Sequence, residues 1–161
     1  MRGKLAIVLA LLLGLEAQAA PAPSPLPGIA VVKLRVTGDQ LLPEDRDQSE
    51  CCLVDGPFRP LYTIEKIYAG KVHGTRITGN KYYGSPTRLG LFLYAIVQDT
   101  GGPEPRALVS SWGFHGACFI PSEIREYGVE PVISRLQHTH PCKLKLTADG
   151  EGFEPDKHGY R

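Results

Sequence analysis

The chain has 161 residues, with 18 Lys and Arg against 17 Asp and Glu and a formal charge of +1. This length suits one domain with its own core. The balance of charge lacks the concentrated positive field that nucleic acid or an anionic membrane surface requires, so neither is expected as a partner.

Met1-Arg2-Gly3-Lys4 is a short positive stretch, and Leu5 to Leu15 is apolar apart from Gly14. Glu16-Ala17-Gln18-Ala19-Ala20 follows, with the small-residue spacing of a signal-peptidase site. The three parts predict a signal peptide over residues 1–19, cleaved after Ala19. Its apolar run is shorter than the roughly 20 residues that span a bilayer, so the protein is not expected to be transmembrane. No cysteine stands at the cleavage site to carry a lipid. The expected location is secreted or periplasmic. Losing Arg2, Lys4 and Glu16 leaves sixteen basic and sixteen acidic residues, still in balance. Residues 20–28 include Pro21-Ala-Pro-Ser-Pro-Leu-Pro27, too rich in proline for helix or sheet interior, and read as a disordered leader.

A single β-rich domain is expected over residues 29–148. Ala30 to Val36 alternates Val32, Leu34 and Val36 with Lys33 and Arg35, the pattern of a strand with one wet face. Leu61 to Tyr68 is a second strand whose apolar phase slips between Ile64 and Ile67, which calls for a bulge near Glu65 or Lys66. Thr75 to Thr78 is a short third strand. Leu89 to Val97 is apolar nearly throughout and belongs at the centre of a sheet, covered on both faces. After the Asp99–Pro103 turn, Arg106 to Trp112 forms a fifth strand. Ser122 then offers a helix N-cap, with Ile124 and Tyr127 on one face and Gly128 as a break. A second helix starts at Glu130-Pro131 with Val132, Ile133 and Leu136 as its apolar stripe. Lys143 to Thr147 alternates again, Leu144 and Leu146 pointing inward. Residues 149–161 are polar and read as a flexible tail; Asp149, Glu151, Glu154 and Asp156 there lack the spacing of a calcium loop. The fold class is mainly β with a short helix pair: a small barrel, closed or nearly so, or a sandwich.

Cys51, Cys52, Cys118 and Cys142 all lie beyond the signal, and an even number in an exported chain favours disulfides. Adjacent cysteines seldom bond each other, so the expectation is one bond from each of Cys51 and Cys52 to Cys118 and Cys142. Either connectivity closes a long loop, worth about 3–5 kcal/mol.

Tyr62-Thr-Ile-Glu-Lys-Ile-Tyr-Ala-Gly-Lys-Val, Thr75-Arg-Ile-Thr and Arg88-Leu-Gly-Leu-Phe-Leu-Tyr resemble the netrin-like module of tissue metalloproteinase inhibitors and their bacterial relatives. Ile67-Tyr68-Ala69-Gly70 and Gly90-Leu91-Phe92-Leu93-Tyr94 occupy the places of that module's two usual motifs. The resemblance implies a disulfide-stapled OB-like barrel of five to six strands. It does not carry protease inhibition with it. The inhibitors begin with a cysteine whose amine and carbonyl chelate the protease zinc, whereas the new N-terminus here is Ala20-Pro21.

No G-x-S-x-G, H-E-x-x-H, S-x-x-K, P-loop or G-x-G-x-x-G motif is present. Tyr82, Tyr83 and Arg88, with the sole tryptophan Trp112, are candidate binding residues, since OB-type folds take ligands on the barrel face. Cys118 with His115 or His140 could act as nucleophile and base; otherwise Cys118 is a disulfide half with Trp112 and Phe114 filling the core beneath it. His138 and His140, with cysteines, are candidate metal ligands; otherwise they serve the end of a helix. The chain reads as an exported, non-enzymatic binding module without cofactor, for an unknown protein or small-molecule ligand. A metal-binding protein using His138 and His140, and a Cys–His enzyme using Cys118, are the alternatives.

Overall fold

The computed structural model describes residues 25–42, 56–84, 87–112 and 114–155. The signal segment, most of the leader, Cys51, Cys52 and the last residues of the tail lie outside the described residues.

The fold is mainly β with two short helices. Its strands are β1 (Ile29–Leu41), β2 (Gly56–Ala69), β3 (Arg76–Thr78), β4 (Tyr82–Gly84), β5 (Phe92–Gln98) and β6 (Arg106–Ser110). Helices α1 (Pro121–Arg125) and α2 (Glu130–Thr139) follow, then a small hairpin of β7 (Leu144–Leu146) and β8 (Phe153–Pro155). The main sheet is antiparallel in the order β3-β2-β1-β5-β6, and β4 pairs with the start of β2. β7 and β8 form a separate two-stranded sheet. Among the described residues no ladder joins β3 to β6, so the sheet is open.

β1 and β5 sit at the middle because their side chains are apolar in both phases. Leu93 to Val97 are all buried, as the unbroken apolar run predicts. β1 departs from its expected single wet face: Ile29, Ala30, Val31 and Val32 are all buried. The second face is covered by the helices, which a strand-by-strand reading does not see. Ile29, Val31, Tyr94 and Ile96 pack with Phe119, Val132, Ile133 and Leu136 beneath α1 and α2. Ala30, Val32, Leu34, Leu93, Ala95 and Val97 pack with Ile77 on the opposite face. Ile77 lies on β3, three strands from β5 in the sheet order. It can join this cluster only because the sheet curls around it. Each fully buried aliphatic side chain contributes about 1.5–3 kcal/mol.

The curl is driven by bulges. Lys33 pairs with Lys66 and Leu34 with Ile64, so Glu65 is the extra residue, within the range the sequence predicts. Tyr68 is a second extra residue on β2, and Thr37 one on β1. Gly70 then turns the chain with φ +78°, where a Cβ would stand 2.2 Å from the Ile29 carbonyl oxygen.

Several expectations are corrected. Cys118 and Cys142 are bonded to each other, not one to each of Cys51 and Cys52. Backbone hydrogen bonds from Ala117 to His140 (3.0 Å) and from Lys143 to His115 (2.9 Å) bring those two segments side by side, which the sequence separation of 24 conceals. Trp112 and Phe114 do not fill the core beneath Cys118. They are 43% and 40% exposed, and Ala117, Phe119 and Ile120 are buried instead. Ser122 is not the cap of α1, because Pro121, with its fixed φ, starts the helix one residue earlier. α2 begins at Glu130 with Val132, Ile133 and Leu136 buried, as predicted. Part of the expected tail is ordered as β8, with the Phe153 ring 5.6 Å from that of Trp112. No helix among the described residues is long and apolar enough to cross a membrane.

Candidate functional site

Curling brings the β3 edge of the sheet toward β6. At one end the seam is tight: a Cβ on Gly74 would lie 2.4 Å from the Pro103 carbonyl oxygen. Thr78 Oγ1 donates to Glu104 Oε2 at 3.0 Å across the same gap. Further along, Gly79 and Asn80 on one wall and Ala107 to Ser110 on the other leave a cleft of about 340 Å³. Its floor is Leu34, Leu93 and Ala95, the core inside the curl. Tyr62, Tyr82 and Phe114 also line it. Phe114 reaches this position because the chain turns away after β6, with Ser111 N on the Tyr94 carbonyl (2.7 Å) and Trp112 N on that of Cys118 (2.8 Å).

One side of the cleft is polar. The backbone N–H of Thr87 donates to Asp39 Oδ2 and to the Tyr82 hydroxyl (3.1 Å), and the Tyr82 hydroxyl also meets Thr87 Oγ1 at 3.0 Å. Burial, with the Asp39 carboxylate and Tyr82 adding to it, pushes the Tyr62 hydroxyl up to about 12, so it stays a neutral donor at physiological pH. Asp39 Oδ1 is buried with no hydrogen-bond partner among the described residues, the kind of orphan acceptor that calls for a donor. The described lining holds no histidine, cysteine or carboxylate. The cleft can therefore bury an apolar body and bond a hydroxyl or amine at its edge.

The sequence-predicted residues divide. Tyr82 lines the cleft, with its ring 5.9 Å from that of Phe58. Tyr83 is held in the β4–β2 ladder opposite Pro57. Arg88 is exposed before β5, and Trp112 packs against Phe153. Cys118 is fully buried and bonded to Cys142. His138 is exposed on the last turn of α2, while His140 ends that helix, its N–H on the Leu136 carbonyl (2.8 Å) and its ring 5.3 Å from Tyr94. Among the described residues no three His, Cys, Asp or Glu side chains gather to hold a metal. Asp149 instead organises the β7–β8 turn, accepting from the Thr147 hydroxyl (2.6 Å) and the Glu151 N–H (3.1 Å); these bonds lower its carboxyl pKa.

Sequence reasoning missed Tyr62, Asp39, Phe114 and the free edge of β6. The edge of β6 was hidden because Lys143–Thr147 also reads as a strand, and only the structure places it in a separate sheet. Comparison of the chain with known protein families, curated proteins and solved structures returns no match. The site is therefore read from its own chemistry.

Proposed function

We propose that the chain is an exported, non-enzymatic binding module built on an OB-type barrel, and that its ligand enters the cleft in the barrel seam. The observation that carries this is the cleft itself: an apolar floor open between two strand edges, rimmed by Tyr62 and Tyr82, with the Tyr82 and Thr87 hydroxyls on its polar side. The ligand is a small molecule or a partner's side chain with an apolar body and one hydrogen-bond donor.

The sheet order supports the OB-type reading. In such a barrel the first strand pairs with the second and fourth, and the fifth returns beside the third. Setting the short β4 aside, β1 pairs with β2 and β5, and β6 comes round toward β3. The motifs at Ile67–Gly70 and Gly90–Tyr94, which resemble those of a netrin-like module, are what supports the more specific reading. The missing N-terminal cysteine still separates this chain from protease inhibition. The Cys118–Cys142 bond is compatible with export to an oxidising compartment. A bonded sulfur is no thiolate, so the Cys–His alternative would need reduction first.

The test is native mass spectrometry of the protein purified from its own host, as wild type and as Ala107→Phe, which fills the cleft. Wild type should carry a bound species that the folded variant lacks. Equal loading of both, or no bound species in either, would overturn the reading.

A further inference from the structure

Helices α1 and α2 cover only part of their face of the sheet. Beyond Val31 and Tyr94, β1 and β2 place Lys33 and Lys66 directly opposite each other. Like charges in that register destabilise an antiparallel pair. Glu65, in the bulge, takes up Lys33 at 3.4 Å and Arg35 as well. Lys66 has no carboxylate within salt-bridge reach among the described residues; its ammonium stands 4.9 Å from the Tyr68 ring centre.

Two cavities flank this lysine pair, one of about 370 Å³ and one of about 390 Å³, and both are bounded by Thr139 and His140. Lys66 and Arg135 line the first, Lys33 and Lys143 the second, and no carboxylate lines either. Among the described residues, Arg135 Nε donates to the Pro131 carbonyl of its own helix (3.3 Å) and meets no carboxylate. The C-terminal end of α2 presents roughly half a negative charge here, which does not balance Lys66 and Arg135 together. No side-chain bond from any of these lysines to an α2 carbonyl occurs among the described residues.

We propose that this uncovered end of the face binds a tetrahedral oxyanion, the phosphate of a free ion or of a small phosphate monoester. A dianion offsets more than one of the surplus cations. In the first cavity its oxygens can accept from Lys66 on the sheet and from Arg135 on α2, two directions at once. A carboxylate, carrying one charge in one plane, fits less well. The first cavity, with Lys66 and Arg135, shares no lining residue with the seam cleft, whereas the second shares Phe114 with it.

The test uses the full mature, oxidised protein. Melting temperature is followed in inorganic phosphate, in glycerol phosphate and in sodium chloride of matched ionic strength, for wild type, Lys66→Gln and Arg135→Gln. Phosphate stabilises proteins by exclusion as well, so the difference between variants is the readout. Wild type should gain more than either variant. Lys66→Gln should melt at or above wild type in chloride, because it removes the opposed charge, and should bind phosphate roughly tenfold more weakly. Amide shifts at Lys33, Lys66, Thr139 and His140 should saturate with phosphate. A stronger response to the monoester than to the free ion identifies the carrier; equal responses identify the ion. Equal phosphate gains in wild type and both variants would overturn the site. A Lys66→Gln protein melting below wild type in chloride would overturn the argument from opposed lysines.

Discussion

His73 and Asp99 meet at the seam: Nδ1 of His73 lies 2.5 Å from Asp99 Oδ2, tying the loop after β2 to the turn after β5. The Gly101 N–H also bonds Asp99, at 3.0 Å. The Gly101 bond first, and His73 second, lower the Asp99 carboxyl below its ordinary 3.8. A depressed carboxylate contributes stability that is present above its unfolded pKa and lost as pH falls through the lower folded value. Asp99→Asn should therefore flatten the acid limb of the stability curve. At neutral pH it should cost no more than a few degrees of melting temperature, because the His73 side chain is 77% exposed and the pair is screened. Thermal melts across the acid range check this; an acid limb unchanged by the substitution would contradict it.

The Cys118–Cys142 bond closes a loop with a sequence separation of 24. Replacing both cysteines by serine should cost about 3 kcal/mol in chemical denaturation. The same segment depends on Gly116, whose φ is +103° and whose added Cβ would lie 2.1 Å from the Pro141 carbonyl oxygen. Gly116→Ala should cost about 2–4 kcal/mol even with the disulfide intact. A loss under 1 kcal/mol, roughly that of an ordinary surface substitution, would show that the loop is not packed as described.

Burial pushes the Tyr94 hydroxyl, like that of Tyr62, up to about 12. A hydroxyl whose folded pKa is raised contributes stability that is complete below its unfolded value near 10 and disappears as pH rises through the folded one. Burial raises the Tyr68 hydroxyl as well, so ultraviolet titration of the phenolates should show Tyr62, Tyr94 and Tyr68 ionising late, and stability should fall between about pH 10 and 12. Tyr62→Phe should remove one late phenolate and reduce that fall. All seven tyrosines titrating together near 10 in the folded protein would contradict the placement of all three.

The proposed export makes a prediction of its own. The protein recovered from its host should begin at Ala20, as read by N-terminal sequencing. Recovery with Met1 still in place would remove the signal-peptide reading.

Much of the fold is legible in the residues. The apolar run at Leu93–Val97 marks the centre of the sheet, the phase slip between Ile64 and Ile67 marks the bulge at Glu65, and Val132, Ile133 and Leu136 mark the buried face of α2. The two faces of β1 are not legible, because the strand pattern does not say that helices far along the chain return to cover Val31. The disulfide partner of Cys118 is hidden for a similar reason: it follows from the pairing of Ala117 with His140, a tertiary contact. Of the candidate binding residues, Tyr82 lines the cleft. Trp112 and Phe114 look like core because of their size, yet the chain leaves the sheet just before them and leaves both at the surface.

Chemical-shift mapping of the isotope-labelled mature protein with phenol, an apolar ring with a single donor, tests the cleft most directly. Saturable shifts should appear at Asn80, at Ala107 to Ser110 and at Phe114, and should vanish in Ala107→Phe. Saturable binding confined to other parts of the surface, or none at all, would contradict the assignment of the seam as the ligand site.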